Sequence, residues 1–268
     1  MKTFRLIGMA IWAMVMCVNF TACSSDMPEL ERDENGIITN QKRLVEQRRT
    51  DDDGCLNITK YSYDNKGKLL SVNYIGADYD NIYTFTWGAD RIIESRGRSA
   101  TIFTLEGGLI TSLSDDGGTF SYNVNKQLTE FQYMDGNYKN IQSYTWEGEK
   151  LTKIVHTETA DYNQHTDEYI YELSYSGKHC KGYLPIMILN VEDDYRLWEA
   201  HPELIGMRCT QLPDEMHIKD NRYQYDESIQ YAYTFDKDGY VESCTEVTIY
   251  KDAYNTSINT TIYTFKWE

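Results

Sequence analysis

Six cysteines, five histidines and 42 acidic residues are the side chains of this 268-residue sequence with the most obvious chemistry. Leaving aside Cys17 and Cys23 near the N-terminus, the thiols are Cys55, Cys180, Cys209 and Cys244, and none forms a CxxC pair. That spacing disfavours a zinc ribbon or a thioredoxin-like redox pair. Outside the cytoplasm, four thiols can make two disulfides in three connectivities, and Cys180–Cys209 would staple a non-repetitive segment across its base. Cys244 replaces an aliphatic residue in a repeat, so buried free thiols are an equal reading. The histidines, His156, His165, His179, His201 and His217, show no HExxH or HxH spacing. His165 lies near Asp161, Asp167 and Glu168, a metal cluster on one reading and a solvated acidic hairpin tip on the better one. The carboxylate runs Asp51-Asp52-Asp53, Asp115-Asp116 and Asp193-Asp194 sit in expected turns, where Asp is a structural choice. Asp236-Lys237-Asp238-Gly239 starts like a calcium loop but lacks the later acidic ligand. No GxSxG, P-loop or GxGxxG follows an expected strand. The reading therefore implies no metal, no cofactor and no catalytic residue. A glycoside hydrolase needs two carboxylates at a set separation, and nothing singles out such a pair.

The elements that must carry these residues are strands. The chain has 23 Tyr, only 4 Pro, 41 % apolar and 13 % aromatic residues. That composition excludes a disordered chain and suits a pleated surface. With 26 Lys and Arg against 42 acids the net charge is −16, which argues against nucleic acid as a partner.

One unit recurs: aromatic-x-aromatic, a polar turn, then aliphatic residues. Its copies begin at Tyr61-Ser62-Tyr63, Phe85-Thr86-Trp87, Phe103-Thr104-Leu105, Phe120-Ser121-Tyr122, Tyr144-Thr145-Trp146 and Tyr233-Thr234-Phe235. The chain ends on Tyr263-Thr264-Phe265-Lys266-Trp267. Aromatics two apart share one face of a strand, and the intervening Asp, Asn and Gly make turns. The expected fold is all-β: a large curled antiparallel meander of hairpins, as an open or closed barrel-like sheet. Charges near strand centres, as in residues 153–158 and 167–172, favour a water-facing sheet over a lipid-embedded one. Exposed tyrosines on one face could stack on sugar rings.

Residues 183–222 interrupt the repeat. Residues 192–201 read as a short helix with Leu197 and Trp198 on one side. A single curved sheet needs its apolar face covered, so this insert is expected to pack against the inner face. The alternative is an exposed loop whose Trp198 and Ile205 dock a partner, and Tyr195 and Trp198 are the candidate ligand-facing aromatics.

Residues 1–22 have the form of a secretory signal: Lys2 and Arg5, then an apolar run from Leu6 to Val18, too short to span a bilayer. Phe20-Thr21-Ala22-Cys23 resembles a bacterial lipobox, with Phe20 where Leu is commoner. The resemblance implies cleavage after Ala22 and acylation of Cys23, which anchors the protein to a membrane. Losing Lys2 and Arg5 would take the charge to −18. Residues 23–47 read as lipidated cysteine and tether, and 48–268 as one domain. The acids soon after Cys23 loosely resemble a surface-export signal, so outer-membrane attachment is expected, with the cell-surface face preferred over the periplasmic one.

Tyr63-Asp64-Asn65-Lys66-Gly67-Lys68-Leu69 resembles the YD repeats of bacterial shell-forming proteins. Over roughly 48–268, the hairpin series, the lipobox and the Ile205-Gly206 … Leu212-Pro213 stretch resemble a family of Gram-negative gut-bacterial lipoproteins, a domain of unknown function with a porin-like fold. The resemblance implies a fold and an address, without chemistry. The functional expectation is a non-enzymatic envelope module that binds a glycan or protein. A carbohydrate-active hydrolase and a purely structural role are the alternatives.

Overall fold

A computed structural model describes residues 41–76, 80–114, 117–160, 165–183, 185, 195–220, 226–251 and 256–268. The described residues form sixteen strands. The first eight are β1 (Leu44–Thr50), β2 (Leu56–Tyr63), β3 (Leu69–Ile75), β4 (Asp80–Trp87), β5 (Arg91–Arg96), β6 (Ser99–Glu106), β7 (Leu109–Leu113) and β8 (Thr119–Tyr122). The others are β9 (Leu128–Asp135), β10 (Tyr138–Glu147), β11 (Lys150–Ala160), β12 (Thr166–Ser174), β13 (Glu215–Asp220), β14 (Asp226–Phe235), β15 (Val241–Lys251) and β16 (Thr256–Trp267). Each strand pairs antiparallel with its sequence neighbour, and β16 pairs with β1 to close the barrel. The seam is Gln47 opposite Phe265 and Arg49 opposite Tyr263, finished by paired backbone bonds between Arg43 and Glu268. The meander is therefore a closed barrel. Closure moves the domain's start: β1 begins at Leu44, within the stretch read as tether.

The repeat has a specific job at one end of the barrel, here called the base. Its first aromatic enters the core, as with Tyr61, Phe85, Phe103, Phe120 and Tyr144, all buried. Its second aromatic donates to a carbonyl at the start of the preceding strand. Tyr63 bonds Leu44 O at 2.8 Å, Trp87 bonds Leu69 O at 2.7 Å, Trp146 bonds Leu128 O at 2.6 Å and Trp267 bonds Val241 O at 2.7 Å. Tyr122 reaches Ile110 O, and Tyr175, just beyond β12, reaches Leu151 O. Six even-numbered strands thus share one device, which buries a large ring while satisfying its polar tip. In β6 the position is Leu105, and in β14 Phe235 turns out to solvent.

The turns follow the same logic. Asp64 Oδ1 accepts from the amides of Lys66 and Lys68 at 2.8 Å, and Asp236 Oδ1 from Asp238 and Tyr240 at 2.9 and 3.0 Å. Asn123 does the same for Asn125 and Gln127. These are side-chain-capped turns, and they account for the local YD-like motif.

A sixteen-stranded barrel leaves a lumen too wide for wall side chains alone to fill. Here the connection from β12 to β13 folds into it from the base. It carries α1 (Arg196–Ala200) and a 3₁₀ turn, Pro202–Ile205. Leu197, Trp198, Leu204, Ile205, Met207 and Leu212 are all buried in the barrel core, so the insert covers the inner face as a plug. Its limits differ from the expected 183–222: β12 ends at Ser174, and Glu215–Asp220 is a full member of the wall. The helix is shorter than expected among the described residues, and 192–194 lie outside them. Gly206 explains how the plug seats: its φ is 71°, and an added Cβ would lie 2.6 Å from Lys126 O and 2.8 Å from Leu128 N. No side chain fits where the plug meets the β8–β9 turn.

Candidate functional site

Strand alternation sends one residue in two into the lumen, and the inward set changes character along the barrel. At the base it is Leu69, Ile92, Phe103, Ile110, Leu128 and Leu151, all buried. Towards the opposite rim it turns polar. Cross-strand register places Phe131, Gln142, His156, Tyr169 and Asp220 in one row across β9 to β13. The next row towards the rim is Tyr133, Asn140, Glu158 and Asp167. Gln142 and Asn140 are 2 % exposed. They are satisfied inside the wall: Tyr144 Oη donates to Gln142 Oε1 at 2.5 Å, and His156 Nε2 lies 2.9 Å from Asn140 Oδ1. Buried polar groups held this way form a fixed surface rather than a soft one.

The plug supplies the floor. Arg196 lies over the rings of Tyr74 (5.0 Å) and Tyr83 (5.9 Å) and bonds Glu199 Oε1 at 2.5 Å. Glu199 Oε2 accepts from Tyr61 Oη at 2.7 Å. This half-buried cation, stacked between tyrosines, fixes the top of the helix against β2–β4. At its other end His201 reaches the base, edge-on to Tyr63 and Trp87, with Nδ1 3.0 Å from Glu203 Oε1.

The remaining wall is acidic. Glu246 on β15 is 8 % exposed and faces Tyr231 across β14. Burial, partly countered by Arg49, raises its pKa to about 7. Glu227, on the same side, is also raised by burial. Glu94 is buried opposite Thr101 and Phe85.

Of the residues singled out in the sequence, Trp198 is a core residue. Its ring packs edge-on to Phe120 at 5.6 Å and Phe131 at 5.3 Å, and it is 5 % exposed. Tyr195 is half-buried, edge-on to Phe103 at 5.7 Å and tilted against Trp198. Cys180 and Cys209 are both buried thiols and form no disulfide. The bridge of His179 to Gln211 sets Cys180 against Thr210, with Cys180 N bonded to Thr210 O. The expected Cys180–Cys209 staple is not formed. Burial pushes the Cys209 thiol up to about 12. His165 Nε2 lies 3.2 Å from Asp167 Oδ1, and Asp161 lies outside the described residues. Among the described residues no three metal-ligating side chains come together. Cys23 and residues 1–22 also lie outside them.

The polar rows were missed in the sequence, although they left a signal: in Ile154-x-His156-x-Glu158 the inward phase of the strand turns from aliphatic to polar. Arg196 left none.

No protein-family model matches the sequence, and no curated protein is similar to it. Solved structures do match. A porin-like protein from Bacteroides uniformis superposes with a TM-score of 0.61 at 15 % identity, over 84 % of this chain and 96 % of that one. A porin-like protein from Bacteroides vulgatus gives 0.62 at 11 % identity, over 85 % and 99 %. These likenesses show a shared barrel fold.

Proposed function

We propose that the protein is a lipid-anchored envelope module that binds a glycan in the rim half of its lumen and carries out no chemistry on it. The observation that carries this reading is the division of the lumen. The plug packs its apolar residues into the base, and the rim half is lined by tyrosines interleaved with amides and carboxylates. Flat apolar rings with polar neighbours suit sugar faces and hydroxyls. The porin-like neighbours support an envelope setting. The outer wall supports a barrel standing in water: Lys219 pairs with Glu172 at 2.6 Å, and Arg48 with Glu46 at 2.8 Å, at outward positions. A lipid-facing wall would instead carry an apolar band about 25 Å tall with aromatics at its edges. The membrane connection then falls to acylated Cys23.

A glycan array probed with the purified chain tests the binding; no bound glycan overturns it. Cys23→Ala should release the protein from membranes, and unchanged fractionation would refute the anchor.

A further inference from the structure

The described chain begins at the base, and the base holds it fast. Lys42 Nζ pairs with Asp236 Oδ2 at 2.8 Å and Asp238 Oδ2 at 2.6 Å on the β14–β15 turn, and the Lys42 amide donates to Tyr240 Oη at 3.0 Å. Arg43 exchanges backbone bonds with Glu268 and lies over the Tyr63 ring at 5.6 Å, its guanidinium against Gly67 in the β2–β3 turn. Three lysines surround this entry. Lys66 belongs to the β2–β3 turn and Lys237 to the β14–β15 turn, and the Lys181 amide ties that residue to the same turn through Gly239 O at 2.8 Å. All three are exposed, and none is in an ion pair among the described residues.

The two ends of the barrel differ in charge. The segments that join strands at the rim carry eight acids, Asp51–Asp53 and Asp115-Asp116 among them, against Arg98 and Arg222. The short turns at the base, with the chain entry and Glu268, carry six charges of each sign. Of those acids, Asp64 and Asp236 are turned onto backbone amides, and Asp236 and Asp238 onto Lys42. The base also presents Val124, 98 % exposed at the tip of the β8–β9 turn that the plug's Gly206 backs onto. An apolar side chain held out beside lysines suits the boundary between headgroups and acyl chains.

We propose that the base is a membrane-docking face: Lys66, Lys181 and Lys237 meet the phosphates of anionic lipid headgroups, and the lumen opens away from the bilayer. This rests on the Cys23 anchor proposed above and adds an orientation to it. The chain from Cys23 to Gln41 reaches at most about 60 Å, and a flexible chain of that length averages about 25 Å end to end. The strands β14 to β16, ten to twelve residues long, stand about 30 Å tall at the usual barrel tilt. Seating the rim on the bilayer would draw the anchor segment along the whole wall and press the acidic end against anionic lipid. Seating the base does neither.

The test is fluorescence quenching of the protein purified from membranes and reconstituted on vesicles of phosphatidylcholine, with or without phosphatidylglycerol, each carrying a headgroup-linked quencher. Cys55 is half-exposed at the β1–β2 turn while Cys180, Cys209 and Cys244 are buried, so it takes a fluorophore at the rim. Val124→Cys combined with Cys55→Ser takes the fluorophore at the base. On vesicles with phosphatidylglycerol the base label should lose most of its emission and the rim label little. Lys66→Gln, Lys181→Gln and Lys237→Gln combined should cut the base quenching to its value on phosphatidylcholine alone, while Lys219→Gln on the outer wall leaves it unchanged. Equal quenching of both labels, or stronger quenching at the rim, overturns the docking and leaves the anchor intact. Base quenching indifferent to phosphatidylglycerol and to the three lysines overturns the headgroup contact. A protein that does not sediment with the vesicles overturns the anchor and the orientation together.

Discussion

The base and the rim half of the barrel are built from the same hairpins but packed to opposite ends. At the base, each repeat contributes an aromatic to the core, and most add a second ring that ties its polar tip to a neighbouring carbonyl. The plug then fills what remains with Leu197, Trp198, Leu204 and Ile205. In the rim half, the inward positions hold amides, tyrosines and carboxylates whose burial is costly unless something satisfies them. Stability should therefore concentrate at the base, while the rim half should trade stability for the ability to hold a ligand.

The sharpest way to break this comparison is Trp198→Ala. It opens a cavity among Phe120, Phe131 and Tyr195, so a loss of about 3–5 kcal/mol is expected, read as a fall in the denaturant midpoint. A loss below 1 kcal/mol would mean that the plug does not hold the base together.

Glu246→Gln should move stability the other way. The folded protein holds this carboxyl's pKa near 7, above its ordinary 4.5. Folding is therefore penalised as pH rises from about 4.5 to 7, fully so above that window. The variant should gain about 2–3 kcal/mol at pH 8 and nothing at pH 4. Unfolding curves at the two pH values check it, and a pH-independent gain would contradict the assignment.

Gly206→Ala forces a Cβ against Lys126 O and a left-handed backbone on alanine, for an expected loss of about 2 kcal/mol. Trp146→Phe keeps the ring but leaves Leu128 O without its donor, so about 1 kcal/mol should go. The smallest effect is Lys219→Ala on the outer wall. Its exposed pair with Glu172 should contribute under 1 kcal/mol, and a larger thermal shift there would show that the outer wall carries stability assigned here to the base.

Much of the fold was legible because its instructions are local. Asp64, Asn123 and Asp236 cap turns within four residues of themselves, and aromatics two apart share a face whatever lies across the sheet. The sequence offers two places for Trp198, packed against the inner face or turned to a ligand, because exposure is a property of what surrounds a ring, and Phe120 and Phe131 are more than sixty residues away. Whether Cys180 and Cys209 join is equally a matter of tertiary placement, and the two thiols stay unbridged. The candidate site was scarcely legible. His156, Glu158 and Asp167 were visible, but their convergence with Asn140, Asp220 and Glu246 needs six strands, β10 to β15, in register.

By itself, then, the sequence determined strands, turns, an aromatic period and an interrupting insert, since these depend on neighbours along the chain. Only the tertiary structure decided that the sheet closes between β1 and β16, which face lies inward, and that the insert enters from one end. Each of those depends on contacts between residues far apart in sequence. Closure gives the barrel an interior, the plug divides that interior, and the division turns scattered acids and tyrosines into one wall.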